Sequence, residues 1–320
     1  MSPPISFRFR SSKNIPPSKF NSSNFFPRAK NASTSDTSPV SIQHTNDTNK
    51  PKRLPNTAHN LSAFERIKQS TRHTTAHGHP LILPTPYAVH GPVFDIIALY
   101  HNAVKRHALV VFNMADALIR YRFEVSHAET RLFFDWLFIF DDFLRSLFTI
   151  EDLHVFSFLE ENSVHLPPEL HRDTRQKRKQ HVLQSIQHTF DRQDKLCLLP
   201  PGEALPILAK SVGAFLNPLL EYFKTENALL QPPIAAANIP DKKAEKLRTR
   251  FIRAFQALPN APTYIAFLSH WLTSKHLSPW KARFLTLVDA IRYDRWTKVL
   301  ASSHLSIPSR IVETISQKAS

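Results

Sequence analysis

Only 4 glycines occur in 320 residues, where average usage of about 7% would supply roughly five times as many. A chain this poor in the residue that enters left-handed turns freely makes few tight hairpins. It is steered away from sheets and toward helices joined by short breaks. The same scarcity removes glycine-rich phosphate loops: neither G-x-G-x-x-G nor G-x-x-x-x-G-K-[ST] is present, so nucleotide binding by those routes is excluded. The breaks come from proline instead, 25 residues gathered near the N-terminus and between long apolar segments, the places where helices stop or start.

From Pro92 onward apolar residues recur at helical spacing. Segments 93–125, 127–162, 167–197 and 201–231 each read as a helix of thirty-odd residues, with breaks at Ser126-His127, "HLPPEL", "LLPPGEALP" and "LQPPI". Four long segments with short joints predict an antiparallel four-helix bundle over 92–231. Three shorter segments near 241–257, 262–275 and 279–300 predict additional C-terminal helices over 241–305. The expected fold class is all-α. The apolar stretch 132–150 has the length of a membrane span, but it holds Asp135, Asp141, Asp142 and Arg145. At roughly 2.5–3.5 kcal/mol for each charge near a membrane helix centre, these cancel most of the apolar gain. No transmembrane segment is predicted.

Residues 1–75 read as a disordered basic tail rich in Ser and Pro. Its first 60 residues hold nine Lys or Arg and two acids, +7 of the chain's +15. No long apolar run is present there, so a secretory signal is not expected. An acid-poor, Arg- and Ser-containing start suits a mitochondrial or plastid transit peptide as well as it suits an ordinary tail. The expected setting is intracellular. The single cysteine, Cys197, allows no internal disulfide and no cysteine-based zinc knuckle, and it reads as an inert, buried thiol.

Turning about 100° per residue sorts the polar side chains of the long segments. Phe94, Ile97, Val104, Ala108, Phe112, Ala115 and Ile119 form one stripe with His101 at its centre. Phe140, Leu144, Leu147, Val155 and Phe158 form a second, which contains Glu151 and has His154 beside it. Phe215, Leu219, Tyr222 and Leu229 form another, which contains Glu226. In the third segment His181 falls opposite Val182, Leu183, Ile186 and Phe190, and Lys179 takes the apolar side. A buried carboxylate must be neutralised, paired or coordinated. His101, Glu151 and Glu226, with His154 and Tyr222 as further donors, are therefore the candidate metal ligands.

"IIALYHNAVKRHAL", "LFTIEDLHVFSFLE" and "LLEYFKTENALL" together resemble the first, second and fourth helices of the hemerythrin-like family, also called the HHE cation-binding domain. The resemblance implies an iron-ligand role for His101, a bridging glutamate at Glu151 with Asp152 beside it, and a further carboxylate ligand at Glu226. It spans residues 93–231. The chain departs from the family where the resemblance would place histidines, which are Leu147, Phe148 and Tyr222 here, and where Ser157 stands for a proline. Both carboxylates are kept and most imidazoles are gone.

The expected function is that of a degenerate, non-enzymatic module with a structural or protein-interaction role, no cofactor and an unidentified protein partner. One alternative is an altered iron site used in oxygen or iron sensing or storage. Another is nucleic-acid or anionic-surface binding through "RDTRQKRKQH" (172–181) and the basic tail. No aromatic residue interleaves that run, so nucleic acid is the less favoured partner. The chain has no G-x-S-x-G elbow and no Cys–His pair for nucleophilic chemistry.

Overall fold

The computed structural model describes residues 84–318, where every regular element is helical. The predicted tail and the transit-peptide reading lie outside the described residues. Helix α1 spans Pro92–Arg120, with Pro92 at its first position and Asp95 in its first turn. Helix α2 spans His127–Ile150 and opens on a capping box in which Ser126 and Glu129 satisfy each other's backbone groups. It continues through a π turn, Glu151–Phe156, into the short α3, Ser157–Glu161.

A 3₁₀ turn at Pro168–Leu170 leads into α4, Arg172–Phe190, and α5, Gln193–Leu198. Helix α6 spans Pro201–Ala236. Five further helices follow: α7 Asp241–Gln256, α8 Ala261–Ser269, α9 Ser274–Phe284, α10 Leu287–Ser303 and α11 Ser306–Lys318. Among the described residues no helix is long and apolar enough to cross a membrane.

Several boundaries differ from the sequence expectation. The segment 167–197 is not one helix. His171 is extended ahead of α4, and the chain breaks again at Asp191 and Arg192, a bend that buries Leu196 and Cys197. The first helix stops at Arg120, five residues early, in a turn closed from Tyr121 to Val125. The fourth runs past "QPPI", through Pro232 and Pro233, to Ala236. An interior proline forfeits a backbone bond, and burial of Leu230 and Ile234 on either side of the pair compensates. The C-terminal region extends past 305 into α11.

Packing explains why α1 is so apolar. It contacts α2, α6, α7, α8 and α11. Only Arg120 of its residues is exposed. Helices α2 and α4 pack together, as do α4 and α6. An aromatic seam joins the later helices to the earlier ones. Phe143 of α2 stacks on Phe255 at 6.1 Å and meets Phe267 edge-on at 5.5 Å, while His107 of α1 stacks on Phe267 at 4.0 Å. The segment before α1 is clasped to it, because Asn102 exchanges two hydrogen bonds with the backbone of Thr85, at 2.7 and 2.8 Å.

Candidate functional site

Three helices and a π turn bring the polar residues of the interior together. His101 comes from α1, Glu151 from the first position of the π turn, and Tyr222 and Glu226 from one face of α6, four residues apart. His101, Glu151 and Glu226 are each 0% exposed, and one ligand atom from each lies within 4.8 Å of the others. These three, each aimed inward on its own stripe, lie together. His154 is not with them. It is half-buried, and its pKa is lowered by burial and by the charge of Arg250. The widened π turn holds it away from the stripe beside which a regular helix would place it.

The contacts form a chain. His101 Nε2 is 3.0 Å from Glu226 Oε2. The Tyr222 hydroxyl lies 2.7 Å from Glu226 Oε1 and 3.1 Å from Glu151 Oε2. It owns one proton and faces two carboxyl groups, so the second contact is completed when a carboxyl proton is present.

The residue that the wheel put on the apolar side of α4 supplies the charge. Lys179 Nζ is 2.7 Å from Glu151 Oε2, 2.7 Å from Asp152 Oδ1 and 3.3 Å from the Phe148 carbonyl. An ammonium has three donors, and here each has an acceptor. The rings of Phe148, Phe156 and Tyr222 surround it at 5.3, 5.7 and 5.9 Å, within reach of cation–π attraction. Burial alone would lower the Lys179 pKa, but the charges of Glu151 and Asp152 outweigh it, and the net direction is up. Lys179 is a cation 4% exposed.

Arg175, one turn earlier, also reaches Asp152, at 3.4 Å, donates to the Leu170 carbonyl and covers the Phe156 ring at 3.4 Å. The interior thus holds Lys179 and Arg175 against Glu151, Asp152 and Glu226, which is one acid in excess. Burial raises Glu151 from 4.5 to about 7, reinforced by the charge of Glu226. Burial also raises Glu226 to about 7, against the opposing pull of Lys179 and of the Tyr222 hydrogen bond. A single proton shared by the two glutamates removes the excess.

Four buried polar atoms here make no hydrogen bond of normal geometry: the Tyr100 hydroxyl, His101 Nδ1, Glu151 Oε1 and Arg175 Nε. The Tyr100 pKa is raised well above 10 by burial and by the neighbouring Glu151 and Glu226. His101 is lowered to about 3 by burial and is a neutral imidazole.

These shifts fix a sign for pH dependence. A glutamate whose pKa is raised by folding contributes stability that is fully present below 4.5 and lost as pH climbs through about 7. His101, lowered from 6.5 to about 3, acts oppositely and withdraws stability as pH falls below 6.5. Between pH 6.5 and 8 the glutamates act unopposed by it. The Tm of the protein is therefore expected to fall across that window. Glu226→Gln, which offers a neutral amide, is expected to flatten the fall. Melting curves at both pH values check this, and an equally steep fall in the variant overturns the shared-proton assignment.

The basic run 172–181 does not form one charged face. Arg175 and Lys179 are buried, and Arg172, Lys177 and His181 are exposed. His181 lines a shallow groove with Lys177, Arg178 and Pro218 above Tyr222. Periodicity had located Lys179 without identifying its partners. His107, 1% exposed and lowered to about 3 by burial, was missed. No family model, curated protein or solved structure matches this chain.

Proposed function

We propose that this chain is a hemerythrin-like antiparallel four-helix bundle in which a lysine has taken the place of the metal, serving as a structural or protein-interaction module and not as an enzyme. The observation that carries the reading is the Lys179 ammonium, 2.7 Å from both Glu151 and Asp152. Helices α1, α2, α4 and α6, each touching the next and α6 touching α1 again, are the arrangement that such a bundle requires.

The donor set does not fit a diiron centre. It offers one imidazole, two carboxylates and a phenol. Leu147 is 0% exposed and Phe148 4%, and the Phe148 ring packs on Tyr222 and Phe223 at 5.7 and 6.1 Å, filling positions where the resemblance implies histidines. A metal ion at Glu151 would also have to share that carboxylate with a fixed ammonium, a like-charge approach that costs more in a dry interior than in water.

Purification without chelators followed by elemental analysis tests the reading. Iron, manganese and zinc are expected far below one per chain, and stoichiometric iron would sink it. The close grouping of His101, Glu151 and Glu226 keeps a second reading in view, a single ion held by these residues and Tyr222. That reading requires a tyrosinate-to-iron absorption band, and metal content that drops in Glu151→Ala and Glu226→Ala.

A further inference from the structure

Helix α10 presents an amphipathic face that nothing in the described residues covers. Leu287, Val288, Ile291 and Val299 are 80%, 53%, 72% and 54% exposed, and four such side chains on a helix of 17 residues are a concentration. The opposite face is anchored, with Tyr293 and Leu300 each 2% exposed and the Tyr293 hydroxyl 2.7 Å from Ser269 Oγ. The exposed residues are therefore outward by construction and not through looseness of the helix.

The charges on that helix are segregated. Asp289 is engaged in capping, bound to Thr286 and Gln256. Asp294 is drawn toward Lys281 at 3.0 Å. Arg292, Arg295 and Lys298 are exposed along the outward side. What faces solvent is thus apolar over Leu287, Val288 and Ile291 and mainly cationic beyond them, with Val299 exposed beside Lys298.

Three occupants have different requirements. A second copy laid on the same face would oppose Arg292 and Lys298 to their own images, in a chain already at +15. A bilayer would need the apolar residues to run the length of the outward axis. At 100° per residue that axis passes from Leu287 and Ile291 to Lys298, so the helix cannot immerse its whole face. An acidic amphipathic helix meets both halves, with apolar side chains against Leu287, Val288 and Ile291 and carboxylates against Arg292 and Lys298.

We propose that the outward face of α10 is a docking surface for an acidic amphipathic helix of another protein. This deepens the interaction-module reading and rests on it.

The test uses the full chain and fluorescence anisotropy with two labelled synthetic helical peptides. One places Leu and Glu at helical spacing, and in the other every Glu is replaced by Lys. The Glu peptide is expected to bind more tightly than the Lys peptide, in a salt-dependent manner. Ile291→Asp is expected to weaken that binding about tenfold. The double variant R292E and K298E is expected to reverse the preference toward the Lys peptide. All these positions are exposed, and an unchanged Tm checks that the variants fold.

Binding of the Glu peptide that ignores both variants overturns the proposal. So does a Glu peptide that fails to bind. Two control arms give the competing occupants their chance. Co-sedimentation with phosphatidylserine vesicles that Ile291→Asp abolishes assigns the face to a membrane, and dimerisation in sedimentation velocity that Ile291→Asp abolishes assigns it to a second copy. Either result also overturns the proposal. Stoichiometric iron would remove the module reading whatever the peptides do, so the two failures are distinguishable.

Discussion

Lys179→Met is expected to destabilise the protein by about 3–5 kcal/mol, the range for breaking a buried ion pair by deleting one partner. Methionine keeps the stem and its packing on Phe148, Phe156 and Tyr222, so the loss isolates the ammonium. Glu151 is left 0% exposed with its cation gone, and Asp152 keeps only the longer contact to Arg175, at 3.4 Å. For a domain of this size that corresponds to a fall in Tm of about 10 °C. The companion variant Glu151→Leu with Lys179→Met removes both charges and is expected to recover much of the loss. Thermal melts of the wild type, both single variants and the double variant give the coupling. If Lys179→Met melts within a degree or two of wild type, the lysine is not the counter-charge of the interior.

Phe143→Ala is expected to cost a similar amount, about 3–5 kcal/mol for a large aromatic removed from a packed core. Phe143 is 0% exposed and touches Phe255 of α7 as well as Phe267 and Tyr264 of α8. It is the point at which the C-terminal helices lean on α2. The same melts carry a second reading. A single transition shifted down as a whole means that α7 and α8 fold in one cooperative unit with α1–α6. An early separate transition, with the main one unmoved, would mean that the later helices are a detachable annex.

What the sequence disclosed follows from what periodicity measures. Apolar residues every three or four positions report the angle at which a side chain leaves its helix. That was sufficient to aim His101, Glu151 and Glu226 inward and to set Lys179 on the apolar side of α4. Angle says nothing about depth or about which neighbour is met, so the bond from Lys179 to Glu151, made across 28 positions of sequence, was not legible. The π turn escaped for a related reason. A wheel advancing 100° at every step has no place for an extra residue, and it therefore put His154 beside the stripe.

His107 was overlooked because one stripe was sought on α1. A helix packed by α2, α6, α7, α8 and α11 has no solvent face to define a stripe. The proline pair at 232 and 233 misled in the other direction, since its local preference yielded to burial of Leu230 and Ile234.

The cation at the centre of this protein is covalently part of the chain. It is delivered in a fixed one-to-one ratio at synthesis, so this counter-charge waits on no loading step. Chelators, dilution and shortage cannot strip it, and no redox couple is attached to it. A counter-charge of this kind for Glu151 and Asp152 does not vary with the metal supply of the surroundings.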